Sequence, residues 1–130
     1  MGGKLPDISH FDPVNVPHLL QNLLLIGVEG VAEERRFKIR VMGSSIVDCY
    51  GFEGTNHYVE DCVEGQAYDV LKSNLLHIIE TCEPILVRKI IPANDAGHTS
   101  CESIYLPYLC EKGEVGRILI VKDFHSNYRL

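Results

Sequence analysis

The stretch from Arg36 to Gly54, RFKIRVMGSSIVDCYGFEG, constrains the fold of this chain more than any other. Phe37, Ile39 and Val41 fall on one face and Lys38 and Arg40 on the other, which is the two-residue period of a half-buried strand. Gly43 ends that strand. Ser44 and Ser45 stand where their hydroxyls cap a short SIVDCY helix by accepting from its free N–H groups, and Gly51 and Gly54 supply the permissive backbone that stops it. A strand, a tight corner and a short helix in succession build one wall of a pocket.

The rest of the chain alternates between the same two periods. Residues 4–22 carry three prolines, and Asp12 followed by Pro13 reads as the entry to a short helix whose apolar edge is Leu19, Leu20 and Leu23. Residues 23–29, LLLIGVE, form a strand apolar on both faces, so both faces need covering. A polar turn at 30–35 makes a hairpin of this strand and the next. Residues 55–65 are irregular and acidic. From Gln66 to Glu83 the period changes: Tyr68, Leu71, Leu75, Ile78, Ile79 and Cys82 recur at threes and fours, the apolar stripe of a long helix that Pro84 stops. Three further strands follow at 85–93, 99–110 and 115–124, with turns at 94–98 and 111–114. Pro107 predicts an edge or a bulge near the end of the second of these. The expected architecture is α+β: a five-stranded antiparallel sheet with helices on one face, an N-terminal helical segment, and two sheet halves that meet through the first and last strands.

A chain of 130 residues with a formal charge of −6 is one domain with no general attraction to phosphate backbones or anionic lipid, so nucleic acid is not expected as a partner. No apolar run approaches the roughly 20 residues of a membrane helix, and the N-terminus lacks the apolar core of a secretory leader. A cytoplasmic protein is expected. The five cysteines are scattered without a C-x-x-C pair and read as reduced, mostly buried thiols. The six histidines include no pair at the spacing that puts two imidazoles on one helix face, and no metal site is expected.

Three segments in this order, LPDISHFDPVNVPHLLQNLLLIGV, RFKIRVMGSSIVDCYGFEGTN and IYLPYLCEKGEVGRILIVKDF, resemble small single-domain bacterial PAS-domain proteins. The similarity runs over nearly the whole chain. It departs from the family pattern at Glu53, where aspartate is more usual, and at Asn56, where glycine often follows the threonine. The resemblance implies an N-terminal helical segment at 1–22, a PAS-like domain at 23–125 and a tail at 126–130. It further implies a sensory or regulatory domain that binds a small ligand, a protein partner or both, that dimerises, and that is not an enzyme. It supplies no catalytic residues. With no effector domain in the chain, output is expected to pass through a signalling partner.

The chemistry-bearing residues narrow this. The asparagine–cysteine–arginine motif of flavin-binding PAS domains is absent, and Cys49 in VDCYG reads as core packing. Haem is not supported: His77 lies off the apolar stripe of the long helix and His57 sits in a loop. The cofactor is left open. A small organic ligand would meet Tyr50, Phe52, His57 and Tyr58 at the corner, with Leu71 and Leu75 on the inner stripe of the long helix. Arg40 is read as solvated and paired with Glu102 on a facing strand, or, if its face turns inward, as a carboxylate or phosphate contact. A cleft enzyme would need Cys62 with His57, or Glu60, Asp61 and Glu64. The acidic run EDCVE raises the thiol pKa, the wrong direction for a nucleophile. A homodimer through the sheet face and residues 12–22 is expected. The leading reading is a sensor, with a ligand-free dimerisation adaptor as the alternative.

Overall fold

The computed structural model describes residues 17–91, 94, 96–110 and 113–125, with side chains from Leu20 onward. The expected helix entry at Asp12–Pro13, part of the last turn and the C-terminal tail lie outside the described residues. The chain enters through a 3-10 helix at Pro17–Asn22 and continues as β1 (Leu23–Glu29) and β2 (Arg36–Met42). Helices α1 (Ser44–Tyr50), α2 (Val59–Cys62) and α3 (Gly65–Thr81) follow, and then β3 (Ile85–Ile90), β4 (Ser100–Leu109) and β5 (Val115–His125). All neighbouring strands are antiparallel, in the order β2-β1-β5-β4-β3. The first and last strands therefore meet at the centre, with Leu24 opposite Ile120 and Ile26 opposite Ile118. This is the expected α+β sheet of PAS type.

One face of that sheet carries the core. Ile26, Phe37, Ile39, Ile118 and Ile120 project from it onto Ile46 of α1, Val59 of α2 and Leu75 and Ile78 of α3, all nearly or fully buried. Each such side chain contributes roughly 1.5–3 kcal/mol by leaving water. The stripe of α3 divides as its geometry demands: Leu75 and Ile78 are fully buried, Tyr68, Leu71 and Ile79 pack at the margin, and Cys82 is exposed as the left-handed residue that ends the helix at φ 58°. Cys49 and Cys101 are buried, Cys62 and Cys110 half-buried, and all five thiols are free.

Four local expectations are corrected. A bulge between β1 and β2 shifts the register after Ile26–Ile39, so Met42 and not Val41 completes the inward row begun by Phe37 and Ile39. Gly43, rather than either serine, is the N-cap of α1, because Ser44 and Ser45 already lie inside its first turn. Residues 59–62 of the acidic segment form the short helix α2. Arg40 does not meet Glu102, since β2 and β4 are separated by two strands. Its side chain lies over Gly27 beside Arg117, while Glu102 is held by Arg88 of the adjacent β3 at 2.6 Å. Pro107 lies beyond the last β3 pairing, Ile85 with Tyr105, and just before a bulge at Tyr108 and Leu109, so its missing N–H interrupts little.

The corner between α1 and α2 keeps its shape through both departures from the family pattern. Asn56 takes φ 70°, the left-handed conformation that a glycine adopts freely and that asparagine tolerates better than other residues. The Glu53 carboxylate accepts from both the backbone N–H (2.8 Å) and the hydroxyl (2.5 Å) of Thr55. Asn56 N–H then donates to Ile39 O at 2.7 Å and Ile39 N–H to His57 O at 2.8 Å, which lays residues 56–58 along the free edge of β2.

Candidate ligand pocket

Between the sheet and the three helices lies a cavity of about 360 Å³, open to solvent on one side. Leu24, Ile26 and Ile39 form its floor. Ile46 and Tyr50 of α1, Val59 of α2 and Leu71 of α3 close it from above, and the exposed residues Glu64, Ala67, Val70 and Lys89 surround its mouth. The lining is mainly apolar, as in pockets that hold small organic molecules.

The polar groups inside it are few. Tyr105, 4% exposed, shares a side-chain hydrogen bond with Asn74 of α3. Burial raises the Tyr105 hydroxyl pKa against the opposing effect of that bond, and burial also raises Tyr50. Lys122 is the unexpected member, only 6% exposed and in register directly opposite Ser103 on β4. Its Nζ donates to Ser103 Oγ at 3.1 Å and stands 5.7 Å from the centre of the Tyr50 ring. Burial pulls the ammonium down from 10.5 to about 8.

The residues read from the sequence as a pocket fall into two groups. Tyr50, Phe52 and Leu71 line the cavity. Leu75 packs in the core without lining it, and His57 is exposed. Tyr58 faces the other way, because it bridges in antiparallel register with Lys38 and so shares that residue's outward face. Its hydroxyl donates to Glu29 Oε1 at 2.6 Å, and the Arg36 guanidinium covers its ring at 3.6 Å. Arg36 also holds Glu60 at 2.8 Å and Asp61 at 3.7 Å, so these acids form an outward ion-pair cluster. Cys62 lines the cavity, and its thiol is raised, first by burial and then by Asp61. Among the described residues no hydrogen bond joins it to His57. The exposed His77 lies on the water side of α3, and Cys49 packs with Ile91 and Cys101.

Lys122 and Ser103 escaped the sequence reading although a signal was present. In RILIVKDF the alternation that buries Ile118 and Ile120 puts Lys122 next on the same inward row. It is the one charged residue on the inward row of that strand among the described residues.

On the outer face, Leu86, Ile104, Val121 and Leu23 stand opposite one another in turn across β3, β4, β5 and β1. Leu86 and Ile104 are 59% and 39% exposed. Among the described residues no helix is long and apolar enough to cross a membrane.

No curated protein matches the chain. A family model described as PAS domain matches residues 1–121 of the 130. The sheet order, the helices gathered on one face and the cavity beneath them agree with that match. The chain belongs to the PAS domain family, a family of sensory and regulatory modules.

Proposed function

We propose that this PAS domain is a sensor in bacterial signalling, holding a small organic ligand in the cavity between the sheet and helices α1–α3 and passing the state of that cavity to a protein partner. The observation that carries this reading is the largely apolar cavity with a buried lysine on its wall. A chain with no use for a ligand gains stability by filling such a space with side chains.

A route for output starts at α1. Ile46 and Tyr50 line the cavity, and the same helix packs on Pro17–Asn22. Gly43, at the start of α1, approaches the Leu20 and Gln21 carbonyls so closely that an added Cβ would lie 2.4 and 2.3 Å from them. A shift of α1 on ligand entry therefore displaces the N-terminal segment, and the ligand favours whichever packing it contacts better. The exposed Leu86 and Ile104 on the outer face support a homodimer as the unit that signals. The free thiols and net charge of −6 fit the cytoplasm.

Native mass spectrometry of the purified protein, joined to a thermal-shift screen of metabolites, tests the reading. A co-purifying small molecule, or a metabolite class that raises Tm in a saturable way, supports a sensor. A protein that emerges empty and responds to nothing in the screen is a ligand-free dimerisation adaptor.

A further inference from the structure

We infer that the cavity selects small organic monoanions, a carboxylate on an apolar body, and that Lys122 Nζ and Ser103 Oγ are the pair that recognises the carboxylate. This rests on the ligand-binding reading above and names the class of ligand.

The inference starts from an imbalance of charge. Lys122 carries three N–H donors, and Ser103 Oγ accepts one of them at 3.1 Å. Among the described residues no carboxylate lies within salt-bridge distance of this ammonium, although Arg36 and Arg88 each find one on the surface. A cation removed from water without a counter-ion is among the costliest arrangements in a protein interior, whereas a paired one is tolerated. An anion in the cavity supplies the counter-charge that the protein around Lys122 does not.

Register gives the recognition its shape. Ser103 and Lys122 are direct cross-strand neighbours, so both side chains rise from the same face side by side. The Ser103 hydroxyl is already shared with Cys101 Sγ at 3.6 Å, and it can turn to donate when an anion arrives. An ammonium and an adjacent hydroxyl present two donors to the two oxygens of a carboxylate. One buried cation matches one negative charge, whereas a phosphate monoester brings about 1.5 to 2 and leaves an excess inside an apolar wall. Lys89, exposed at the mouth and on the inward row of β3, adds attraction for an anion on the way in, and the Glu64 carboxylate, also at the mouth, offsets part of it. Leu24, Ile39, Ile46 and Leu71 receive the apolar body.

Octanoate, 1-octanol and octylamine share one chain and differ in the head group, so calorimetric titration of the full-length protein with each isolates the role of Lys122. Octanoate is expected to bind at least tenfold more tightly than 1-octanol, with octylamine weakest. In Lys122→Met, the octanoate preference should collapse to within about twofold of 1-octanol while 1-octanol binding is retained. Equal binding of octanoate and 1-octanol by the wild type overturns the inference and leaves the ligand-binding reading standing, and it does so without any variant. Failure of all three to bind overturns the inference, and the ligand-binding reading then stands or falls on the metabolite screen.

Discussion

Tyr58 Oη donates to the Glu29 carboxylate at 2.6 Å, joining the segment that follows the corner to the far end of β1. The bond lowers the Glu29 pKa below its usual 4.5, with smaller help from Lys38, Arg40 and Arg36. A carboxylate whose pKa is depressed by folding stabilises the native state above its unfolded value, and that contribution is lost as pH falls through the folded value. Tyr58→Phe keeps the ring beneath Arg36 and removes only the hydroxyl. At pH 7 the variant should melt no more than about 3 °C below the wild type. The difference should shrink as pH falls below 4.5. Thermal melts of both proteins from pH 7 to pH 3 check this.

Lys122 gives a pH response of opposite sense. Its pKa falls from 10.5 to about 8, mainly through burial, so between these values the unfolded chain holds the proton more firmly and stability rises with pH. Cys49, Cys101, Tyr50 and Lys89 face or surround it, and they remain in Lys122→Met. The comparison of the two proteins therefore isolates the lysine. Without ligand, the variant should be more stable at pH 7 by on the order of 1–3 kcal/mol, and that advantage should narrow above pH 8. Urea unfolding at pH 7, 8.5 and 10 measures it.

Two glycines at the ends of α1 resist substitution for different reasons. At Gly43 an added Cβ would meet the backbone carbonyls of Leu20 and Gln21 at 2.4 and 2.3 Å, so the Pro17–Asn22 segment must move. Gly51 has open space around it but sits at φ 82°, where an L side chain is strained. Gly43→Ala should cost about 2–3 kcal/mol and Gly51→Ala about 1 kcal/mol. Chemical denaturation ranks them, and a larger loss at Gly51 would contradict the close packing of the N-terminal segment on α1.

Ile104 stands between Leu86 and Val121 in the outward row, exposed to the extent of 39%. If that face joins two copies, the wild type sediments as a dimer at tens of micromolar. Ile104→Lys should weaken association at least tenfold, while its far-ultraviolet circular dichroism stays unchanged. A monomeric wild type in sedimentation equilibrium eliminates the interface.

Strand positions were legible because burial on one face imposes a period of two, and that period survives in RFKIRVM, SCESIYLPYL and RILIVKDF. The joining of β1 to β5 fits a hairpin at each end of the chain, although periodicity alone does not fix the strand order. What failed was local. The bulge that exchanges Val41 for Met42 leaves no mark in a run of apolar residues. Tyr50, Phe52, His57 and Tyr58 are close in sequence, but the single bridge between Lys38 and Tyr58 turns the last of them outward. Lys122 is not legible as buried from its residue type, since a lysine is ordinarily solvated. Its inward register only acquires meaning once Ser103 is known to lie across from it.

The centre of the sheet joins a strand ending at Glu29 to one beginning at Val115. Synthesis from the N-terminus completes the β1–β2 hairpin and all three helices before the strand that unites them has left the ribosome. Until then Leu23–Gly27 presents an open edge, Leu24 and Ile26 lack Ile120 and Ile118 beside them, and the nascent pocket lacks Lys122. Pairings so distant in sequence form late and slowly. An occupant of the cavity would touch both the early and the late parts of the chain, and so would help to close the domain as well as report on its surroundings.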